Sequence, residues 1–424
     1  MQRPCAQMLL AVALGMAPAT AAAAARPGAP GDTIAAAPRL VAIVIEGSPA
    51  TRASVIRRCI GLRAGDRYDP EALRRAQERL EALDFIEYAA VRARRPSPNE
   101  VVVVVWVAER ERLGGGLRLD YERRYKLLSS ASLSWSNVGG FGDEISLRAT
   151  GGYLWRFALA WRSPCTLPAR VGIGTTASWE RAPFVFEPFR LADRRVRAEL
   201  WRDLGLRLRA TCYYEYRSVV ADRSRLAEMP DGESVDPALG IEIEHDSRDL
   251  PAYPRRGLHL RAGGRRSGLG GGGRHAARYD LFDADGAVFL PIPGLAILAG
   301  RARWRGTSRP VPVYERLFLG GPGDLRGIGF GTVRGDEGFL ATVELRRPLW
   351  MARLTDTGVL GLGVHAFRDW GKAWDRGLGF DGGRLHRSWG LGLDLELDVL
   401  NLRCEWARAE DRRNTFQFED RFTF

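Results

Sequence analysis

The run Leu206-Arg207-Leu208-Arg209-Ala210-Thr211-Cys212-Tyr213-Tyr214-Glu215-Tyr216 alternates without a break. Leu206, Leu208, Ala210, Cys212, Tyr214 and Tyr216 take one side; Arg207, Arg209, Thr211, Tyr213 and Glu215 take the other. Successive side chains on a strand point to opposite faces, so this period of two predicts a strand with one apolar and one charged face. Residues 153–161 repeat the pattern with every aromatic on one face. In residues 391–397 four leucines face away from Asp394 and Glu396. Strands of a soluble sandwich run to about five or six residues. These runs reach about 9 to 11, the length that crosses a bilayer at a tilt, with charges on the hidden face.

Outward from this run, sixteen such segments are predicted, near 113–121, 126–136, 144–150, 153–161, 170–180, 192–202, 205–217, 238–246, 256–264, 276–289, 295–305, 338–347, 358–368, 388–396, 399–408 and 414–424. An even count closes an antiparallel barrel with both ends on one side. The long connections 181–191, 218–235, 306–337 and 369–387 then all point outward, and short turns such as Pro291-Ile292-Pro293-Gly294 fall on the periplasmic side. The expected fold is mainly β: a 16-stranded transmembrane barrel over residues 111–424.

Residues 38–110 read differently, as a small α+β unit of order β-α-α-β-β. Leu40 to Glu46 is a strand closed by Gly47, and Thr51 is expected to cap a helix carrying Val55, Ile56, Cys59 and Ile60 on one face. Asp69, Pro70 and Glu71 start a second helix with Leu73, Ala76, Leu80 and Leu83 in a stripe. Strands over 85–93 and 101–109 follow, joined by Pro96-Ser97-Pro98-Asn99. Val101 to Val105 is apolar on both faces, as for a strand covered by helices.

The first 25 residues predict an export signal: Arg3, an apolar segment from Met8 to Met16, then small residues from Ala21 to Ala25. Residues 26–37, rich in alanine, proline and glycine, read as a linker. Of the five cysteines, Cys59, Cys165, Cys212 and Cys404 follow the signal, far apart and without motif spacing; Cys212 and Cys404 fall on outward-facing strand positions and are expected to be free. The net charge of +12 comes from arginines spread singly along alternating runs, since Lys126 and Lys372 are the only lysines. That spacing argues against nucleic-acid binding and fits a pore lumen or phosphate-bearing lipid headgroups. Catalytic signatures such as a Gly-x-Ser-x-Gly elbow or a His-Glu-x-x-His helix are missing, and His245, His259, His275, His365 and His386 are scattered. Gly268–Gly273 matches Gly-x-Gly-x-x-Gly but stands between strands, not before a helix. No enzymatic activity, cofactor or metal is expected.

Three motifs remain. Gly320-Gly321-Pro322-Gly323-Asp324-Leu325-Arg326-Gly327-Ile328-Gly329-Phe330 places one arginine in a glycine-rich loop between the eleventh and twelfth strands. Glu344 faces inward, because Phe339, Ala341, Val343 and Leu345 make the lipid face; Asp369 in Phe367-Arg368-Asp369-Trp370-Gly371 also faces inward. Bidentate, charge-assisted bonds would let the two carboxylates hold Arg326; Glu344 reads equally as an ordinary polar lumen residue. The third motif is His245-Asp246-Ser247-Arg248-Asp249 with Pro254-Arg255-Arg256-Gly257, a turn for which Asp246, Arg248, Asp249 and Gly257 are structural. The chain so read resembles the outer-membrane assembly-factor family (bacterial surface antigens), which includes the Bam barrel subunit, its Tam relative and two-partner-secretion translocators.

The resemblance implies one periplasmic POTRA domain at 38–110 and a loop tip, Leu325-Arg326-Gly327-Ile328, folded into the lumen, with isoleucine where the family has an aromatic. It implies that Phe367, Asp369 and Gly371 receive the tip. It also implies a lateral gate where the first strand, opened by Gly114-Gly115-Gly116, meets the last, and a sorting signal ending in Phe422 and Phe424. The implied function is insertion or transport of β-rich clients in a Gram-negative outer membrane. Expected partners are unfolded outer-membrane or secreted proteins, outer-membrane lipid and lipopolysaccharide, and periplasmic partner subunits. The alternatives are a dedicated two-partner-type secretion translocator, for which residues 26–37 leave no room for a second POTRA domain or a plug helix, and a passive pore or surface antigen.

Overall fold

The computed structural model describes residues 38–419 except 48–49, 84, 123–125, 168–170, 185–188, 206, 224–230, 251–252, 274–276, 322, 330, 354–358, 398–399 and 411–413. The expected signal (1–25) and linker (26–37), and Phe422 and Phe424, lie outside the described residues.

Residues 39–109 form β1 (Arg39–Glu46), α1 (Ala53–Ile60), α2 (Pro70–Glu81), β2 (Ile86–Ser97) and β3 (Glu100–Glu109). In sheet order β1-β3-β2, β3 is central, parallel to β1 and antiparallel to β2. Asp69 caps α2 by accepting from the Glu71 N–H, with Pro70 in the first turn. Thr51 is not a helix cap: Arg52 occupies that position with no side-chain cap bond. The Thr51 hydroxyl donates instead to Glu109 Oε1 at 2.7 Å. The helices cover only one face of the sheet, where Val101, Val103, Val105 and Val107 are buried with Ile56, Ile60, Ala76 and Leu80. Both helices lie in the single connection from β1 to β2 and pack on one side of the sheet. The apolar face of Val102 and Val104 is therefore uncovered, continued by exposed Trp106, Tyr88 and Val44.

From Leu113 a closed antiparallel barrel takes over. Eighteen strands take part among the described residues; Gly232–Val235 and Gly272–Gly273 are short strips in outward loops, and sixteen carry the wall. The alternation holds: Tyr214, Tyr216, Leu391 and Leu393 are exposed to the lipid side, while Glu215, Arg217 and Asp394 are buried. The strands outrun the expected length, and two reach 17 residues, Phe189–Gly205 and Glu337–Arg353. One expected loop shrinks accordingly. Residues 181–191 are mostly strand, because Val171–Phe184 pairs with Phe189–Gly205 up to Phe184↔Phe189. Pro183 sits one residue before the end of Val171–Phe184. No helix among the described residues is long and apolar enough to cross a membrane.

The barrel closes where the first strand, Leu113–Glu122, meets the last, Asn414–Glu419. Leu117 on the first and Phe416 on the last are 89% and 77% exposed, the two least covered large apolar side chains described.

The POTRA unit is fastened near this seam. The turn between the second and third barrel strands, Asn137–Gly142, packs on the start of α1. Gly140 O accepts from the Arg52 N–H at 2.9 Å, and Asn137 Nδ2 donates to Thr51 Oγ1 at 2.8 Å. Arg52 lies 3.8 Å over the Phe141 ring.

Candidate functional site

Between the eleventh strand (Ala296–Thr307) and the twelfth (Glu337–Arg353) the chain turns back into the lumen. Its base is a two-stranded ribbon, Leu317–Leu319 with Val333–Gly335. Its tip is tied by Gly321 N–H to Ile328 O at 2.9 Å, and Leu325 is fully buried with Leu319, Val333, Leu340 and Ala373. Ile328 packs partly against the same group, so apolar burial seats the tip with isoleucine in place of an aromatic.

Arg326 is fully buried at the end of this loop. Asp369 takes it bidentately, Nε to Oδ2 at 2.9 Å and NH2 to Oδ1 at 2.7 Å, and also accepts the Arg326 backbone N–H at 3.2 Å. NH1 donates to Glu344 Oε1 at 2.6 Å and to Glu405 Oε1 at 3.0 Å. The guanidinium plane lies 3.4 Å over Phe367, adding a cation–π contact. Gly371 leaves room for Leu325: a Cβ there would stand 3.1 Å from Leu325 Cδ2. The Phe367–Asp369–Gly371 spacing thus puts a ring, a carboxylate and a gap on one inward face, two residues apart.

Glu405 escapes a reading of sequence motifs, and so does the layer beneath. Glu344 Oε2 accepts from Arg346 Nε at 2.7 Å and Arg403 NH2 at 3.3 Å; Arg403 Nε donates to Asp394 Oδ1 at 2.8 Å. His365 lies between Asp394 and Glu405. All sit on inward parity; the missing information is the register that aligns Arg346 with His365, His365 with Gly392 and Gly392 with Glu405. Burying charges is favourable only when they are mutually satisfied, and here each carboxylate meets at least one cation.

A second anchor holds the same loop elsewhere. Glu315, in the short 3₁₀ turn Val313–Glu315, pairs with both Arg217 and Arg265 of the seventh and ninth strands. Arg217 also donates to Asp193 Oδ2 at 2.8 Å. Replacing Glu315 with glutamine leaves two buried guanidiniums short of charge. We expect a loss of about 3 kcal/mol, read as an earlier urea midpoint in lipid vesicles, with the Arg326 anchor still formed.

The Asp246–Gly257 motif forms a turn between the eighth and ninth strands. Arg248 pairs bidentately with Asp246, and Asp249 Oδ1 accepts from the N–H groups of Leu250, Arg255 and Arg256. Gly257 has φ +119°, and a Cβ would stand 2.5 Å from Ser247 O. Gly114, Gly115 and Gly116 lie in the first strand opposite Ser134, Leu133 and Ser132.

A single α+β unit beside the mouth of a sixteen-stranded barrel, with an arginine loop pinned inside, defines a POTRA-and-barrel protein. Residues 137–424 match the Omp85 superfamily domain and residues 38–110 match POTRA, the surface antigen variable number repeat. The chain belongs to the Omp85 superfamily. A curated relative, outer membrane protein assembly factor BamA from Nitratidesulfovibrio vulgaris, is 24% identical over 410 residues, 90% of this chain and 50% of that protein. The chain thus spans about half the length of the curated relative it matches. Among solved structures, BamA from Haemophilus ducreyi lacking POTRA domains 1–3 aligns with a TM-score of 0.70 at 15% identity, covering 90% of this chain and 84% of that one. CdiB from Escherichia coli aligns at 0.66 and 13% identity, covering 90% and 74%.

Proposed function

We propose that this protein assembles β-rich client proteins in a Gram-negative outer membrane, with its POTRA domain in the periplasm and no covalent catalysis. The observation that carries the reading is the seam. The two least covered apolar side chains, Leu117 and Phe416, belong to the strands that close the barrel. An open sheet edge in lipid carries unsatisfied backbone groups, so a client strand that pairs there gains hydrogen bonds while its apolar face enters hydrocarbon. That gain drives insertion without nucleotide hydrolysis. The outer strands of the POTRA sheet, β1 and β2, offer edges to which an arriving client can add a strand, and the Arg326 loop braces the lumen while the wall opens. Unfolded barrel clients, outer-membrane lipid with lipopolysaccharide, and periplasmic subunits are the proposed partners.

The test is reconstitution in liposomes with an unfolded small barrel as client. Folding faster than on bare liposomes is the expected result; an unchanged rate would sink the stand-alone insertase. Depletion in cells separates the alternatives. A general fall in outer-membrane proteins fits assembly, whereas loss of one surface protein fits dedicated secretion.

A further inference from the structure

The buried cluster around Arg326 contains Arg326, Arg346 and Arg403 against Glu344, Asp369, Asp394 and Glu405, all at most 2% exposed. Three guanidiniums face four carboxylates, which leaves one negative charge in a site shut off from water. An uncompensated buried charge is among the costliest features a fold can hold. The group placed to cancel it is His365. Its side chain is fully buried, with Nε2 hydrogen-bonded to Glu405 Oε1 at 2.9 Å and Nδ1 2.9 Å from Asp394 Oδ1, a charge contact off the hydrogen-bond line.

A neutral imidazole carries one proton and one lone pair, so it would turn that lone pair toward a carboxylate oxygen; an imidazolium donates from both nitrogens. Both oxygens already act as acceptors, Asp394 Oδ1 from Arg403 and Glu405 Oε1 from Arg326, so the proton belongs on the ring. The fold makes a place for this ring. Gly392 faces His365 across the strand pair, and a Cβ there would stand 2.3 Å from His365 Cε1. Around it, Arg346 is its cross-strand neighbour, Arg403 pairs with the same Asp394 and Glu405, and Phe367 lies 6.0 Å away on its own strand.

We infer that His365 is a positioning residue of the lumen latch: held as imidazolium, it neutralises the buried cluster and aims Glu405 at Arg326. The inference rests on the proposal above that the Arg326 loop braces the lumen, the contact called the latch here, and adds a proton to it. Loss of that proton at high pH returns a net negative charge to the cluster and leaves either Asp394 or Glu405 with one donor fewer. The latch is therefore formed at neutral pH and loosens as pH rises through the His365 transition.

The test uses the full chain in lipid vesicles with ¹⁵N-labelled histidine, the His365 signal being identified by its loss in His365→Gln. Two protonated ring nitrogens at pH 7 are expected, and one unprotonated nitrogen there would overturn the inference. A spin label at Gly329→Cys, with the native cysteines replaced, reports the loop. The mobile population should rise about tenfold in a one-proton step as the medium turns alkaline. His365→Gln should be mobile without that step, and His365→Gln with Glu405→Gln, which restores neutrality, should be immobile at every pH. Immobile labels in His365→Gln alone would defeat the inference while leaving the latch intact; a label mobile in the natural chain at every pH would defeat the latch itself.

Discussion

Arg326→Ala is expected to release the lumen loop and lower stability by about 3–5 kcal/mol, the usual cost of removing one partner from a buried ion pair. Asp369 loses a bidentate partner and a backbone donor's alignment, while Glu344 and Glu405 are left with contacts from Arg346, Arg403 and His365. Burial makes the loss large, because water cannot replace the guanidinium. Arg326→Lys should recover little. An ammonium is a point charge that cannot make the forked contact or lie flat on Phe367. Asp369→Asn in the Arg326→Ala background should restore part of the stability by removing the orphaned charge. Urea unfolding in lipid vesicles reads the stability, and the liposome assay reads function, where Arg326→Ala should fall toward the rate on bare liposomes. An unchanged midpoint together with an unchanged client rate would remove the latch from the mechanism.

Most of the wall was legible because the barrel's physics is local. A lipid face and a charged lumen force period two on each strand, so alternation alone locates Leu208–Asp222 and its neighbours to within a few residues. The Arg326–Asp369 pairing was legible for a narrower reason: Arg326 stands in a glycine-dense loop, Asp369 stands in a motif that resembles the family's, and parity puts Asp369 inside. The other partners depend on register. Whether Glu405 reaches Arg326 is decided by Glu405 lying opposite Gly392 and Gly392 opposite His365, two pairings that no single strand encodes. Gly390 carries the same lesson. A Cβ there would stand 2.4 Å from the Phe367 ring, so its role is visible only once the strands are aligned.

Thr51 shows the other way local rules fail. A threonine just before a helix reads as a cap, yet its hydroxyl serves Glu109 and Asn137, because the helix start is buried against another domain. The Glu315 anchor is similarly nonlocal: one carboxylate in an irregular loop, matched to arginines about fifty and a hundred residues earlier.

Gly140→Val is expected to undock the POTRA domain while leaving the barrel wall intact. Gly140 has φ +76°, which costs an L-residue about 1–2 kcal/mol. A Cβ would also stand 2.3 Å from Ala50 O, a backbone atom held in place by the Arg52 N–H bond to Gly140 O. Neither side of that contact is a flexible side chain, so separating the two units is the cheapest relief. Because the strained turn is itself part of a barrel hairpin, Thr51→Val with Arg52→Ala serves as the companion variant. It removes the hydroxyl's bonds with Asn137 and Glu109 and the Phe141 contact from the POTRA side alone, while the Thr51 N–H keeps its bond to Glu109. Both should speed hydrogen exchange across 50–56 and 137–142 by about tenfold or more, the scale of one or two lost hydrogen bonds, with the urea midpoint of the barrel held. The turn joins the second and third strands, and the first strand, which closes the seam, pairs with the second. The docked POTRA sheet is thereby kept at a set angle beside the seam, and client folding should slow in both variants. Fast exchange with an undiminished client rate would show that the POTRA domain delivers clients without being fixed to the wall.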